Sequence, residues 1–141
     1  VAVDEAKKAL FASSALKSLD FVVYSKAGPN LLGGVKGRSH RAQAGQSLQN
    51  WVTQSDVDDL VEWQRVFGEG FVGVFAFVYW IDPPLAPEPD MFEHRDRWYR
   101  LTGIALDEYR QRMRRRSEKW QTVSLRAEDF RSLARPIESW L

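Results

Sequence analysis

An aspartate and a lysine stand on the two strands of a predicted β-hairpin. Asp20 lies in an apolar, β-branched run over residues 16–24, and Lys36 lies in a second run over residues 31–38. Gly, Pro and Asn between the two runs predict a tight turn. A carboxylate in an apolar strand needs a hydrogen bond, an ion pair or a bound cation, which makes Asp20 a candidate site residue.

Strand geometry decides whether the two side chains meet. Residues two apart in a strand point to the same face, so Gly34 and Lys36 share one face of the second strand. If Asp20 pairs opposite either of them, the carboxylate and the ammonium group lie on the same side of the sheet. We therefore predict that Asp20 and Lys36 flank a solvent-accessible concavity. The pairing register itself stays open, because the turn and the packing set it.

Several runs of the chain resemble the PD-(D/E)XK nuclease superfamily, whose mark is an Asp on one strand of a hairpin and D/E-x-K on the next. These runs are D-E-A-K-K-A-L-F, L-K-S-L-D-F-V-V-Y, P-N-L-L-G-G-V-K-G-R, N-W-V-T-Q-S-D-V-D-D-L and F-A-F-V-Y-W. They look most like an uncharacterised bacterial branch named for an N-terminal H-Y-E-x-A-F-E helix. The resemblance implies a restriction endonuclease-like α/β fold that hydrolyses DNA phosphodiester bonds with Mg²⁺, a hard cation held by carboxylate oxygens.

The family pattern gives individual residues a role by position. Asp20 would be a metal ligand, Val35 would offer its backbone carbonyl to the metal, and Lys36 would be the catalytic lysine that stabilises developing negative charge. Gln49 follows at a place where the family often has a polar residue, so it is a further candidate within the site. The resemblance alone implies these roles.

The chain departs from the pattern at two places. Gly34 stands where the family has Asp or Glu, so a major ligand is missing, and the H-Y-E helix is absent. Three explanations stay open: an inactivating substitution, a natural loss of activity, or a carboxylate supplied from elsewhere. Candidates for a relocated carboxylate are Glu5, Asp56 and Asp59. Since the chain begins with Val, it could be a piece of a longer product, and a Glu-bearing helix upstream would complete the site.

The remaining pattern predicts a single α/β domain over residues 1–141, built as a mixed β-sheet flanked by helices. The predicted elements after the hairpin are a helix over 55–67 capped by Ser55, a buried strand over 71–81, a stiff proline-rich connection over 82–90, a strand over 97–105, a basic helix over 106–116, a strand over 120–125 and a helix over 128–134 ended by Pro136. A further short helix is predicted over residues 4–11.

Positive charge is concentrated late in the chain, although the whole chain carries only +1. On the predicted helix over 106–116, Arg112, Arg115 and Arg116 would lie near one another, and Lys119 would continue that face. Arginine forks match phosphate geometry, and Arg38 could also contact phosphate just past the lysine. The pattern favours a salt-dependent nucleic-acid interface. A solvated helix face with local ion pairs is the alternative.

Composition excludes several classes of protein. The chain has no Cys, which excludes disulfides, thiolate zinc sites and a cysteine nucleophile. Its longest apolar run, over residues 71–81, is too short to cross a bilayer as a helix, and no signal peptide is recognisable. We expect a cytoplasmic protein without a membrane partner, either monomeric or homodimeric.

The leading hypothesis is a Mg²⁺-dependent endonuclease-like domain that acts on DNA and is slow or inactive because of Gly34. One alternative is a nuclease-fold module that binds nucleic acid without cutting it. Another is a protein-interaction domain that keeps only the fold. An intact carboxylate near Asp20 and Lys36 favours the enzyme, a basic surface without metal ligands favours the binding module, and a neutral surface favours the interaction domain.

Overall fold

The computed structural model describes residues 19–40, 48–81 and 91–141. The strands in this part of the chain are β1 (Phe21–Val23), β2 (Asn30–His40), β3 (Val52–Thr53), β4 (Phe71–Ile81), β5 (Met91–His94), β6 (Arg97–Ala105), β7 (Arg114–Ser117), β8 (Thr122–Ser124) and β9 (Arg135–Pro136). The helices are α1 (Gln54–Phe67), α2 (Leu106–Arg112) and α3 (Ala127–Leu133), followed by a 3₁₀ turn, Ile137–Trp140.

Two sheets organise these elements. The larger sheet has the order β1-β2-β4-β6-β5, with β9 also paired to β6, and the smaller sheet has the order β3-β8-β7. The pair β2 and β4 is parallel, from Asn30 opposite Phe71 to His40 opposite Ile81, and the other described pairs are antiparallel. The fold is therefore mixed α/β with a mostly antiparallel sheet and three described α-helices, which confirms the predicted fold class in its coarse form.

The hydrophobic core lies between the larger sheet and a layer formed by α1, α2, α3 and β8. Every second residue of β4 from Phe75 to Ile81 is buried, and α1 places Leu60, Trp63 and Phe67 in the same cluster. Burying one such side chain contributes roughly 1.5–3 kcal/mol, so this cluster supplies much of the force that holds α1 against the sheet. The site described below lies on the same side of the sheet as α1.

Helix α1 begins with a capping box. The Thr53 hydroxyl accepts a hydrogen bond from the Asp56 backbone N–H at 3.0 Å, and the Asp56 carboxylate accepts one from the Thr53 N–H at 3.0 Å. The predicted Ser55 cap is therefore wrong. The helix starts directly after β3, which places Ser55 inside the first helical turn. This cap fixes Asp56 at the end of the helix that faces β2.

The segment before β3 is tied by hydrogen bonds to β4, to α2 and to the residue that follows β8. The Tyr79 hydroxyl donates to the Gln49 carbonyl at 2.7 Å, and the Tyr109 hydroxyl donates to the Asn50 carbonyl at 2.7 Å. The buried Asn50 side chain accepts from the Leu125 N–H at 2.7 Å and donates to the Leu125 carbonyl at 3.2 Å. Burial raises the pKa of both tyrosine hydroxyls, which keeps them neutral donors.

Several predicted boundaries change in the structure. The predicted strands over 71–81 and 97–105 are confirmed. Within the described residues, the predicted strand over 16–24 is shortened to β1, and the one over 31–38 is lengthened to β2. The predicted strand over 120–125 is shortened to β8, and the helix over 128–134 shifts by one residue to α3. Pro136 follows that helix as part of β9.

The basic helix predicted over 106–116 is wrong in its second half. Helix α2 ends at Arg112, and residues 114–117 form β7. In β7, Arg115 lies opposite Val123 of β8, so the backbone of residues 114–117 forms sheet hydrogen bonds in place of helical ones. Tertiary pairing with β8 overrides the local helix preference of the arginines.

Some predictions concern residues outside the described ranges: the helix over 4–11, Glu5, and the connection over 82–90. In the part of the chain that the structure describes, no helix has the length and apolar character needed to cross a membrane.

Candidate functional site

Asp20 and Lys36 project to the same side of the larger sheet. Phe21 pairs with Gly33, so the preceding Asp20 stands beside Gly34. A Cβ built on Gly34 would lie 3.6 Å from Asp20 Oδ2 and 4.0 Å from Lys36 Nζ. All three residues line a concavity of about 360 Å³. This geometry confirms the prediction that the two side chains flank a concavity, while their chemical roles stay predictions.

Gly34 leaves room for a carboxylate between Asp20 and Lys36. The closest described atoms around the hypothetical Cβ are at ordinary van der Waals distances, and they belong to the two side chains themselves. A longer side chain at this position would therefore extend into the concavity without displacing backbone. The position at which the resemblance implies a carboxylate is therefore open towards the concavity.

Asp56 reaches into the concavity from α1. Its Oδ2 lies 3.0 Å from Lys36 Nζ, and the two side chains are 13% and 21% exposed. Burial raises the pKa of Asp56, but the hydrogen bonds from Lys36 and Thr53 outweigh that effect and hold the pKa below its ordinary value. Asp56 is therefore charged at neutral pH and supplies the carboxylate partner of Lys36 that position 34 does not.

The other carboxylates of the concavity are Asp20 and Asp59. Asp20 Oδ2 accepts a hydrogen bond from the Val35 N–H at 2.7 Å, which ties the loop end of β1 to β2. Together with Asp56 and Lys36, these carboxylates give the lining a net charge of −2. A concavity with this charge attracts cations. Of the three proposed relocated ligands, the structure brings Asp56 and Asp59 to this place.

The carboxylates of the concavity are of the chemical type that Mg²⁺ binds. Within residues 19–40, 48–81 and 91–141, no group of three or more His, Cys, Asp or Glu side chains is arranged to hold a metal. Mg²⁺ is commonly held by one or two carboxylates, with waters and substrate phosphate completing its shell. Asp20 and Asp59 supply ligands of this type. The metal-binding role of the Val35 carbonyl stays a prediction.

Gln49 does not belong to this concavity. Its side chain is exposed, its carbonyl accepts from Tyr79, and it lines a second cavity of about 230 Å³ beside Trp51 and Arg116. The structure does not bring Gln49 to Asp20 and Lys36, so its predicted place within the site is wrong. The hydrogen bonds from Tyr79 and Tyr109 to the Gln49 and Asn50 carbonyls hold this segment beside the second cavity.

The Arg38 side chain makes contacts within the fold. Its guanidinium donates to the Trp51 carbonyl at 2.7 Å and lies 3.9 Å from the centre of the Trp51 ring. Burial lowers the pKa of Arg38 below its usual range. These contacts hold the segment before β3 against β2, and the structure adds no support for the predicted phosphate contact.

The predicted basic cluster is dispersed. Arg112 lies on α2 and pairs with Asp129 at 3.5 Å, whereas Arg115 lies on β7 and pairs with Glu118 at 3.5 Å. Arg116 lies over the Trp51 ring at 5.0 Å, and Lys119 lies over the Trp120 ring at 5.1 Å. The single helical face expected for these four residues is therefore wrong, because β7 replaces the second half of that helix. A phosphate contact by each residue stays a prediction.

The sequence pattern left open which of three carboxylates lies near Lys36, and it predicted the burial of one residue wrongly. Asp56 was one of the three candidates. The motif T-x-x-D over 53–56 could have favoured Asp56, because a capping box fixes where its side chain points. The buried strand predicted over 71–81 includes Trp80, but this side chain is 43% exposed. Because side chains alternate along β4, Trp80 points to the opposite face of the sheet from Tyr79.

The chain matches no protein-family model, no curated protein and no solved structure. The function is therefore argued from the geometry and charge of this site.

Proposed function

We propose that the chain is a restriction endonuclease-like domain of the PD-(D/E)XK type, with a Mg²⁺-dependent phosphodiester site around Asp20 and Lys36. The observation that carries this proposal is the placement of Asp20, Gly34 and Lys36 side by side at one concavity. The position of the missing family carboxylate falls between the other two side chains. DNA is the proposed substrate, by the family resemblance.

The charge of the concavity supports a cation requirement. A phosphodiester is an anion, and a lining of net charge −2 repels it unless a cation is bound. When bound, Mg²⁺ would polarise the phosphate and lower the pKa of a water nucleophile. Asp20 and the Val35 carbonyl are the proposed ligands. Lys36, held by Asp56, would contribute positive charge beside the scissile group.

Gly34→Asp is expected to strengthen Mg²⁺ binding by about tenfold or more. A unit charge about 4 Å from an ion contributes several kcal/mol even with substantial screening, and part of it is lost to side-chain ordering. The added Cβ meets only ordinary contacts. Isothermal titration calorimetry of the wild type, Gly34→Asp and Gly34→Glu would measure the change. A plasmid-cleavage assay would then test whether tighter binding restores hydrolysis.

Gly37→Asp is the matched control for this experiment. Gly37 lies on the same strand, its Cβ would meet nothing within 4 Å, and strand alternation directs it to the opposite face of the sheet. It adds the same charge without entering the concavity, so its Mg²⁺ affinity is expected to equal that of the wild type. Equal affinity in Gly34→Asp and Gly37→Asp would contradict the metal site.

The Lys36–Asp56 ion pair favours a second candidate function. Lys36 Nζ and Asp56 Oδ2 lie 3.0 Å apart, so each charge already has a partner. A lysine neutralised in this way is expected in a nuclease-fold domain that no longer cuts. The second candidate is therefore a nuclease-fold module that binds nucleic acid without hydrolysing it. Tight Mg²⁺ binding by Gly34→Asp without cleavage of bound DNA would favour this candidate.

A further inference from the structure

Three aromatic side chains line up across the face of the larger sheet that points away from Lys36. Trp80 of β4 lies opposite Tyr99 of β6, and Tyr99 lies opposite Phe92 of β5. Directly paired residues share a face, so the three rings form one row, called here the aromatic row. Trp80 is 43% exposed and Phe92 is 42% exposed. Rings of this size are usually buried, so their joint exposure needs an explanation.

The rings are already arranged for stacking. Phe92 and Tyr99 stand nearly parallel, with ring centres 5.5 Å apart and planes inclined by 23°. The guanidinium carbon of Arg97 lies 4.5 Å from the centre of the Trp80 ring. An aromatic ring with a guanidinium over it offers both a flat apolar surface and a positive charge within a few ångströms.

The charge of this face favours an anionic ligand. The strand registers place Arg97 and Arg135 on it, and among the described strands they place no Asp or Glu there. Arg135 also lies over an aromatic ring, that of Trp140, at 4.0 Å. On the opposite face, the lining of the concavity carries three aspartates and one lysine.

We propose that the aromatic row binds single-stranded nucleic acid, with bases stacked on its rings and a phosphate held by Arg97. Bases in a duplex are stacked on each other, whereas bases of a single strand are free to stack on side chains. The arginines favour a polyanion over a neutral apolar protein surface. This inference goes beyond the proposed function, and the residues that carry it lie outside the concavity.

The test is binding of a fluorescein-labelled oligothymidylate of about ten nucleotides, followed by fluorescence anisotropy in the presence of EDTA. EDTA removes divalent ions, so neither Mg²⁺ binding nor hydrolysis affects the result. Trp80→Leu and Phe92→Leu are expected to weaken binding by roughly tenfold or more, because leucine keeps the apolar surface but loses the flat ring. Tyr24→Leu removes a ring that is 51% exposed and lies outside the row, and its affinity is expected to stay within about twofold of the wild type.

Three results would overturn the inference. One is an oligothymidylate affinity that is unchanged in both leucine variants, with the fold verified by urea unfolding. Another is a preference for duplex DNA over a single strand of the same sequence. The third is self-association of the wild type, detected by light scattering and lost in the leucine variants, which would make the aromatic row an interface between copies of the chain.

Discussion

Replacing Gly33 by Ala is expected to destabilise the chain by more than about 4 kcal/mol, an effect large enough to prevent folding of many small domains. Gly33 is buried on β2, between β1 and β4. A Cβ at this position would press against the backbone oxygen of Val74 and would lie 2.6 Å from a Phe21 ring atom. The Val74 oxygen belongs to the backbone of the central strand, so it has no freedom to move aside. Only glycine allows β2 to approach its neighbours as it does.

Gly37→Ala is the matched control for that substitution. Gly37 lies on the same strand and the same face as Gly33, but its Cβ would meet nothing within 4 Å. Its free energy of unfolding is expected to stay within about 1 kcal/mol of the wild type. Urea unfolding followed by circular dichroism would measure both variants. If Gly33→Ala were as stable as Gly37→Ala, the register of β2 between β1 and β4 would have to be different.

Replacing Asp56 by Ala is expected to cost about 2–4 kcal/mol of stability at neutral pH. One contribution is the capping box, because the N–H of Thr53 loses its acceptor. The other is the ion pair, because Lys36 would be left largely enclosed without its carboxylate partner at 3.0 Å. Asp56→Asn separates the two contributions. It keeps a side-chain oxygen for the cap but removes the charge, so its loss is expected to be the smaller one.

The Asp56 contribution also has a defined pH dependence. The pKa of Asp56 is lower in the folded chain than in the unfolded chain, so the unfolded state binds the proton more readily. The stabilisation is therefore fully present above the ordinary carboxyl pKa, near about 4, and is lost as the pH falls through the folded value. The difference in unfolding free energy between wild type and Asp56→Asn is expected to shrink from pH 7 to pH 3.

Asp58→Asn is the control for this measurement. Asp58 lies on the same helix but is exposed, and its carboxylate accepts only from the nearby Gln54 side chain among the described contacts. Its substitution is expected to change stability by less than about 0.5 kcal/mol at either pH. Equal stability of Asp56→Asn and Asp58→Asn at pH 7 would contradict the ion pair and the charge distribution described for the concavity.

The site could be predicted from the sequence as far as strand alternation reaches. A period of two placed Gly34 and Lys36 on one face, and only the pairing of Phe21 with Gly33 was needed to bring Asp20 beside them. The missing carboxylate at position 34 was also visible, because glycine carries no side chain. Local pattern carries this information since both strands are adjacent in sequence and joined by a short turn.

The choice of Asp56 and the dispersal of the basic residues depended on contacts between distant segments. Asp56 meets Lys36 because α1 packs its apolar side on β4, and that packing fixes which end of the helix lies over β2. Arg115 does not share a helix face with Arg112, because β7 pairs with β8. Helix propensity does not predict this pairing. Neither contact leaves a periodic signal in its own segment.

The amino-acid sequence by itself determined the mixed α/β class, the long apolar strand of Phe71–Ile81, and the shared face of Gly34 and Lys36. Those features follow from the alternation and composition of single segments. Tertiary structure alone decided which carboxylate neutralises Lys36, where Gln49 and the arginines lie, and that Trp80 joins an exposed aromatic row. The physical reason is that burial and pairing are properties of two surfaces together, and each surface is specified by a different part of the chain.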